Sequence, residues 1–489
     1  MLLGLGPLKV YGSEIMDKKH RRPWDSPLAY LVPVSAIVAG VVWLILGSEP
    51  KSAEPRPKGT VEDILSLRDR DDLNVIFILV DTLRADRLGS YGYERPTSPN
   101  LDRLAEGGVR FAHHVSQSSW TKCSMASMWT GLYPARTRVL RHRHAVADEA
   151  RMPAEIFKDS GFRTAGIWRN GWIAPNFGFG QGFELYHSPK PPAHIQMAQR
   201  RKTNPGMQMG STDSDVILSA EEFLRAHGHE RFFLYLHLMD VHQYGFTEET
   251  ALFGSEYSDF YDNSILWVDS LLGILFDVLE ERDLLDKTVI VFASDHGEAF
   301  GEHNGEGHAR NVYGEVTETP LIVSFPFSLD SGLVVETLSE NVDIWPTVLE
   351  LLGLPGLEDP DGRSLVPDIL AAGDAEHVMG ETDVAFAQID QTWGKTDLDP
   401  RPMVAHNQGP WRLIYRAASP RLSELYNKVD DPKEQVNLAT AEPEVLAEMN
   451  KAAGEYLESP APPWGDETPM LELDEVQLQQ LRALGYGVQ

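Results

Sequence analysis

The stretch "NVIFILVDT", residues 74–82, is an apolar run that stops abruptly on a carboxylate and a hydroxyl. Apolar and β-branched residues without alternation over this length read as a strand buried on both faces, as in a parallel sheet. A second run of the same kind, "TVIVFASDH" at 288–296, stops in the same way on Asp295-His296. "FFLYLHL" at 232–238 and "PLIVSF" at 320–325 are further core strands. Between them, "SPNLDRLAEGG" and "SILWVDSLLGILFDVLEERDLL" carry helical periodicity, with Ser98 placed to cap the first. This order implies an α/β sandwich around a large, mostly parallel sheet. In such sheets the ligand crevice opens beyond the carboxyl ends of the strands, so Asp81 and Asp295-His296 are expected together at one edge.

Outward from these runs, the chain of 489 residues carries a formal charge of −30. Phosphate backbones are bound by clustered Lys and Arg, so nucleic acid is excluded as a partner. One cysteine excludes an internal disulfide framework and leaves the redox compartment open. Residues 28–47, "LAYLVPVSAIVAGVVWLILG", hold no charge, and a helix of that length spans roughly 30 Å of hydrocarbon. Five Lys and Arg precede it within the first 22 residues and three follow closely, which favours a cytoplasmic N-terminus at residues 1–27. A single-pass anchor in the inner (cell) membrane, with the remainder periplasmic or extracellular, is the expectation. A cleaved signal peptide is the rival, but its apolar region is normally only about 7 to 15 residues.

Residues 48–72, rich in Pro and charge, are expected to be a linker. The catalytic domain is expected over 73–370, a smaller α+β subdomain over 371–460, and a tail with a short helix over 461–489. Carboxylates and an imidazole at one sheet edge are the ligand types of a catalytic divalent cation. Either Asp could instead cap the turn after its strand, a reading less natural for the Asp295-His296 pair.

From about residue 73 onward the sequence resembles the sulfatase family of the alkaline phosphatase superfamily. The stretches that carry the resemblance are "NVIFILVDTLRADRLGSYGYERPTSPNLDRLAEGGVRF", "WTKCSMASMWTGLYPAR", "FFLYLHLMDVH", "SDHGEAFGEH" and "GHARNVYGEVTETPLIV". It implies an alkaline-phosphatase/sulfatase-like sandwich in which Asp81, Asp295 and His296 are metal ligands and the nucleophile is a further one. Relatives often have a second acidic residue where this chain has Thr82, which leaves the cation open among calcium, magnesium, manganese and zinc.

The family signature is written C-x-P-S-R, and counting back ten positions from Gly131 of Thr130-Gly131 reaches Thr121 where the cysteine should stand. Cys123 then falls at the proline, and Ser124 keeps the signature's serine. Shifting Cys123 into the nucleophile position puts Met125 and Ser127 where Pro and Arg are read for conversion to formylglycine. Thr121 is therefore the expected nucleophile and metal ligand, since a hydroxyl on a divalent cation can attack phosphorus or sulfur. It could also simply cap the helix that follows. Cys123 is expected to be a small apolar filler.

By resemblance, His242 and His308 are the catalytic histidines that hold the ester or protonate its leaving oxygen. Lys122, Arg169, Asn170 and Arg310 are candidate substrate-binding residues, and Asp240 could join His242 at a second metal. His303 is expected to be a structural hydrogen-bonder, and "RTRVLRHRH" at 136–144 a solvated loop. The leading expectation is a metal-dependent hydrolase of sulfate or phosphate esters acting through a covalent intermediate on an anionic ester substrate. A phospholipid-headgroup phosphotransferase using phosphothreonine and an inactive sulfatase-like binding protein are the alternatives.

Overall fold

Eight strands form one central sheet in the computed structural model, which describes residues 56–190, 212–243, 252–373, 384–392, 398–465 and 467–472. They are β1 (Asn74–Val80), β2 (Val109–Phe111), β3 (Arg163–Ile167), β4 (Leu185–His187), β5 (Phe232–Leu238), β6 (Thr288–Ala293), β7 (Leu321–Ser324) and β8 (Leu333–Val335). The order across the sheet is β8-β2-β7-β6-β1-β5-β3-β4. Every pairing is parallel except the two that flank β7. The four strands read from apolar runs are the contiguous centre, β7-β6-β1-β5.

Alternation along β1 divides the interior. Val75, Phe77 and Leu79 enter one core, and Ile76, Ile78 and Val80 enter the other. The helices α2 (Thr121–Thr130) and α5 (Ile344–Leu351) cover the first face. The second is covered by α1 (Pro99–Glu106), α3 (Asp213–His227) and α4 (Tyr257–Glu281). All ten residues of α2 are buried, which explains why its sequence shows no polar face.

Beyond the sheet, β9 (Val384–Asp390), β10 (Pro402–Gln408), β11 (Trp411–Arg416) and β12 (Glu424–Asn427) form an antiparallel meander. Against it α6 (Pro443–Leu457) places Met449, Ala453 and Tyr456 over Val404, Leu413 and Leu425. Four strands and one helix give this stretch an α+β character. The meander docks onto the main body through backbone, with Gln388 N–H donating to the Gln117 carbonyl at 2.8 Å.

Part of the expected linker is folded instead. Lys58–Gly59 pairs in parallel with Ser328–Leu329, and Val61–Ser66 is helical. Ile64 and Leu67, three apart, are buried in the first core, so this face was apolar enough to pack despite the charges around it. The expected membrane anchor at 28–47 and the tail from residue 473 lie outside the described residues. Among the described residues no helix is long and apolar enough to cross a membrane.

Candidate active site

Because β1 and β6 are parallel neighbours with Leu79 opposite Ala293, the residues that follow them arrive side by side. Asp81, Asp295 and His296 are fully buried, and each offers a ligand atom within 4.8 Å of the others. Asp81 Oδ1 and Asp295 Oδ2 are buried carboxylate oxygens without a hydrogen-bond partner. Burial and the charge of Asp81 push Asp295 well above the usual carboxylate range. Two buried carboxylates this close, each with a bare oxygen, fit a cation and are costly without one.

The imidazole is aimed accordingly. His296 Nδ1–H donates to the Gly297 carbonyl at 2.9 Å, which leaves the Nε2 lone pair facing the carboxylates, 3.5 Å from Asp295 Oδ2 and 3.9 Å from Asp81 Oδ1. Burial first, then His308, lowers His296 to about 3, so the ring is neutral. Thr121 Oγ1 lies 3.2 Å from this same Nε2. Trp120 occupies the N-cap and Thr121 the first turn of α2, so Thr121 is not simply the cap. Ser124, the residue shared with the family signature, donates from Oγ to the Asp295 carbonyl at 2.6 Å and ties α2 to the end of β6.

Asn170 follows β3 and is wholly buried. Its Oδ1 accepts from Trp172 N–H at 2.9 Å, which turns Nδ2 toward Asp81 Oδ2 at 2.7 Å and Thr121 Oγ1 at 3.4 Å. Asn170 thus enters the site as a donor. Thr82 adopts φ +62°, a region disfavoured for a β-branched residue. It is held there by its own N–H on Asp295 Oδ1 and by Tyr261 O–H donating to its carbonyl.

Three imidazoles stand in a row. The ring centroid of His308 is 4.6 Å from that of His296 and 5.0 Å from that of His242. The loop carrying His308 is pinned beside α2 by Ala309 N–H on the Ser119 carbonyl. His308 Nδ1 contacts Glu298 Oε2 at 3.0 Å. Burial raises Glu298 to about 7 and lowers His308 to about 4. Glu298 and His237 were missed by sequence reasoning. His237 is the one imidazole in the otherwise apolar and aromatic run "FFLYLHL", a legible sign, whereas Glu298 was hidden among the other acidic residues around it.

Several expected site residues go elsewhere. Lys122 is buried, with Nζ donating to the His142 and His144 carbonyls at 2.6 and 2.8 Å and lying 4.2 Å from the centre of the Phe177 ring. One helical position after Thr121 the side chain points about 100° away, so it holds a loop instead of reaching the cluster. Arg169 is captured by Asp213, at 2.5 Å, and by Asp240. That pairing also takes Asp240, which expectation offered to a second metal beside His242. Arg310 is exposed, close enough to His308 to help depress it. The expected solvated loop 136–144 is largely packed, because Arg136 pairs with Asp359 and Asp361 and Val139 is buried. Cys123 is 1 % exposed, and burial raises its thiol to about 12, as suits a filler. His303 is the structural hydrogen-bonder expected, placed between Glu315 and the Glu434 carbonyl.

Residues 73–354 match the family described as Sulfatase, and residues 301–458 match the one described as N-sulphoglucosamine sulphohydrolase, C-terminal. N-acetylgalactosamine-6-O-sulfatase of Bacteroides thetaiotaomicron is 24% identical over 475 residues, covering 77% of this chain and 92% of its own. Human steryl-sulfatase is 25% identical, covering 60% of this chain and 69% of its own. Among solved structures, Ps i-CgsB aligns with a TM-score of 0.64 at 19% identity over 85% of this chain and 98% of its own. Phosphonate monoester hydrolase of Agrobacterium radiobacter aligns with a TM-score of 0.60 at 19% identity over 79% and 95%. With a family match over more than half its length and the Asp81, Asp295 and His296 cluster at the sheet edge, this chain belongs to the sulfatase family and is an ester hydrolase.

Proposed function

We propose that the chain hydrolyses monoanionic sulfate or phosphate-type esters with Thr121 as nucleophile, outside the cytoplasm and tethered by residues 28–47. The observation that carries this reading is the Thr121 hydroxyl at the cluster, 3.2 Å from His296 Nε2, with the Cys123 thiol buried in the core. Asp81, Asp295, His296 and Thr121 would hold the divalent cation. A set of two carboxylates, one hydroxyl and one imidazole suits zinc or manganese better than calcium or magnesium, the hard cations that favour oxygen ligands throughout. Bound there, the cation would acidify the Thr121 hydroxyl and offset charge on the ester oxygens.

The remaining steps belong to side chains. Deprotonated Thr121 Oγ1 forms a bond to sulfur or phosphorus as the bond to the bridging oxygen breaks. The Glu298–His308 pair holds a proton near neutrality and delivers it to that leaving oxygen. Asn170 Nδ2, facing Thr121, donates to a non-bridging oxygen, and His242 orients the ester from the far end of the histidine row. Water then cleaves the threonine ester and restores the hydroxyl. With Lys122 and Arg169 engaged elsewhere, the site has little fixed positive charge to spare, which supports a singly charged ester over a dianionic phosphate monoester.

Hydrolysis is preferred to headgroup transfer because the relatives matched over most of their length are sulfatases. Incubation with para-nitrophenyl sulfate and bis-para-nitrophenyl phosphate, followed by intact mass and peptide mapping, tests the reading. A sulfo- or phospho-adduct on the Thr121 peptide is the expected result. An aldehyde-sized change at Cys123 with no adduct on Thr121 would overturn it, and transfer of the group to an added alcohol in place of water would favour the transferase.

A further inference from the structure

We infer that His237, braced by Tyr235, is a positioning residue that fixes the Asp81 carboxylate so that one oxygen stays bare for the cation; this rests on the cation reading given above. The geometry follows from strand periodicity. On β1, residues 75, 77 and 79 face the first core, and β5 pairs with it in the register Phe77 opposite Tyr235 and Leu79 opposite His237. Tyr235 and His237, two apart, therefore share that face, and Asp81 lies one pleat beyond His237.

The contacts form one directed chain. Tyr235 is fully buried, stacked on Phe77 at 5.6 Å and edge-on to Trp129 at 5.0 Å, so its ring cannot swing. Its hydroxyl lies 2.7 Å from His237 Nδ1, and burial keeps that phenol protonated. Nε2 faces a carboxylate oxygen, which can only accept, so Nε2–H donates to Asp81 Oδ2 at 3.0 Å while Tyr235 O–H donates to Nδ1 on the other side of the ring. Asn170 Nδ2–H donates to the same Oδ2 at 2.7 Å. Both donors fall on one oxygen, and Asp81 Oδ1, the other, is left with none. A carboxylate held on one side this way cannot rotate to share its lone pairs, so the orienting shell is complete before a cation arrives.

The test is isothermal titration of manganese(II) into the chelator-stripped full chain in detergent, with thermal melts alongside. His237→Ala is expected to weaken manganese(II) binding roughly tenfold or more. His237→Gln, whose amide can still donate toward Asp81, recovers most of that loss, and Tyr235→Phe, which removes only the far hydroxyl, weakens binding a few-fold. An unchanged dissociation constant in a folded His237→Ala overturns the inference, as does a His237→Gln variant no better than His237→Ala. If His237→Ala does not fold, wild-type affinity in Tyr235→Phe overturns it. A wild-type chain that takes up no manganese(II) instead overturns the cation reading itself, an outcome separate from failure of the relay.

Discussion

At the scale of single residues, two side chains two positions apart on α2 have opposite fates. The Thr121 hydroxyl meets His296 and Asn170, whereas the Cys123 thiol lies 4.0 Å from the Gln388 carbonyl in packed interior. A 200° rotation between helical positions i and i+2 produces this without special geometry. Thr121→Ala is therefore expected to abolish turnover of para-nitrophenyl sulfate, while Cys123→Ala costs about 1 kcal/mol of stability and leaves most of the rate. Steady-state assays of both variants, with urea unfolding of the second, check this pair of outcomes. Lys122 gives a contrasting case. Lys122→Met keeps the length of the chain but strands the buried His142 carbonyl, at about 1–3 kcal/mol, and the half-buried His144 carbonyl at less, and is expected to lower the urea midpoint. The KM of the ester should change less than about twofold, because the ammonium faces the His142–His144 loop; a large rise in KM with unchanged stability would return Lys122 to the substrate.

At the scale of elements, α2 is the part on which the site depends, and its end is as constrained as its start. It stops at Gly131, which takes the left-handed conformation at φ +69° and donates to the Ser127 carbonyl at 2.8 Å. A Cβ there would sit 2.8 Å from Leu357 Cδ1 and 3.2 Å from Pro360 Cβ. Gly131→Ala should thus cost more than the roughly 1 kcal/mol of left-handed strain, about 2 kcal/mol by urea unfolding, with activity falling only as the folded fraction falls. What could be read of the elements in advance follows from burial. The central strands β1, β5, β6 and β7 are runs of large apolar residues, and two of them point straight at Asp81 and Asp295. By contrast β3, "RTAGI", mixes a charge with small residues, and β2, β4 and β8 are only three residues long, too short for a periodicity to announce them. The site was legible where chemistry sits at a strand end or helix start. It was not legible for Lys122 and Arg169, because which way a cation turns depends on partners distant in sequence, such as Asp240 and the His142 carbonyl.

At the scale of the whole molecule, the C-terminal meander secures the loop that carries Glu298 and His308. Arg412 of β11, 1 % exposed, donates to the Val312 carbonyl at 2.7 Å and pairs at 3.1 Å with Glu434, itself buried. His303 closes the junction: its ring stacks on Tyr313 at 3.9 Å, Nδ1 meets Glu315 at 3.0 Å and Nε2 meets the Glu434 carbonyl at 2.8 Å. Both ring nitrogens face acceptors, so both must carry protons. Against the desolvation of the ring, these partners raise His303 to about 9. A pKa raised on folding stabilises fully below the unfolded value, near 6.5, and that contribution is lost as pH rises through about 9. The whole shift would correspond to about 3 kcal/mol, and water at the open edge of the ring screens this to about 1–2 kcal/mol. Urea unfolding at about pH 6 and about pH 9.5 is therefore expected to show a loss of that size in the wild type, much reduced in His303→Gln. Equal slopes in the two proteins would mean that the junction does not depend on the imidazolium, and that Arg412, Lys428 and the Gly314 N–H suffice to hold Glu434 in place.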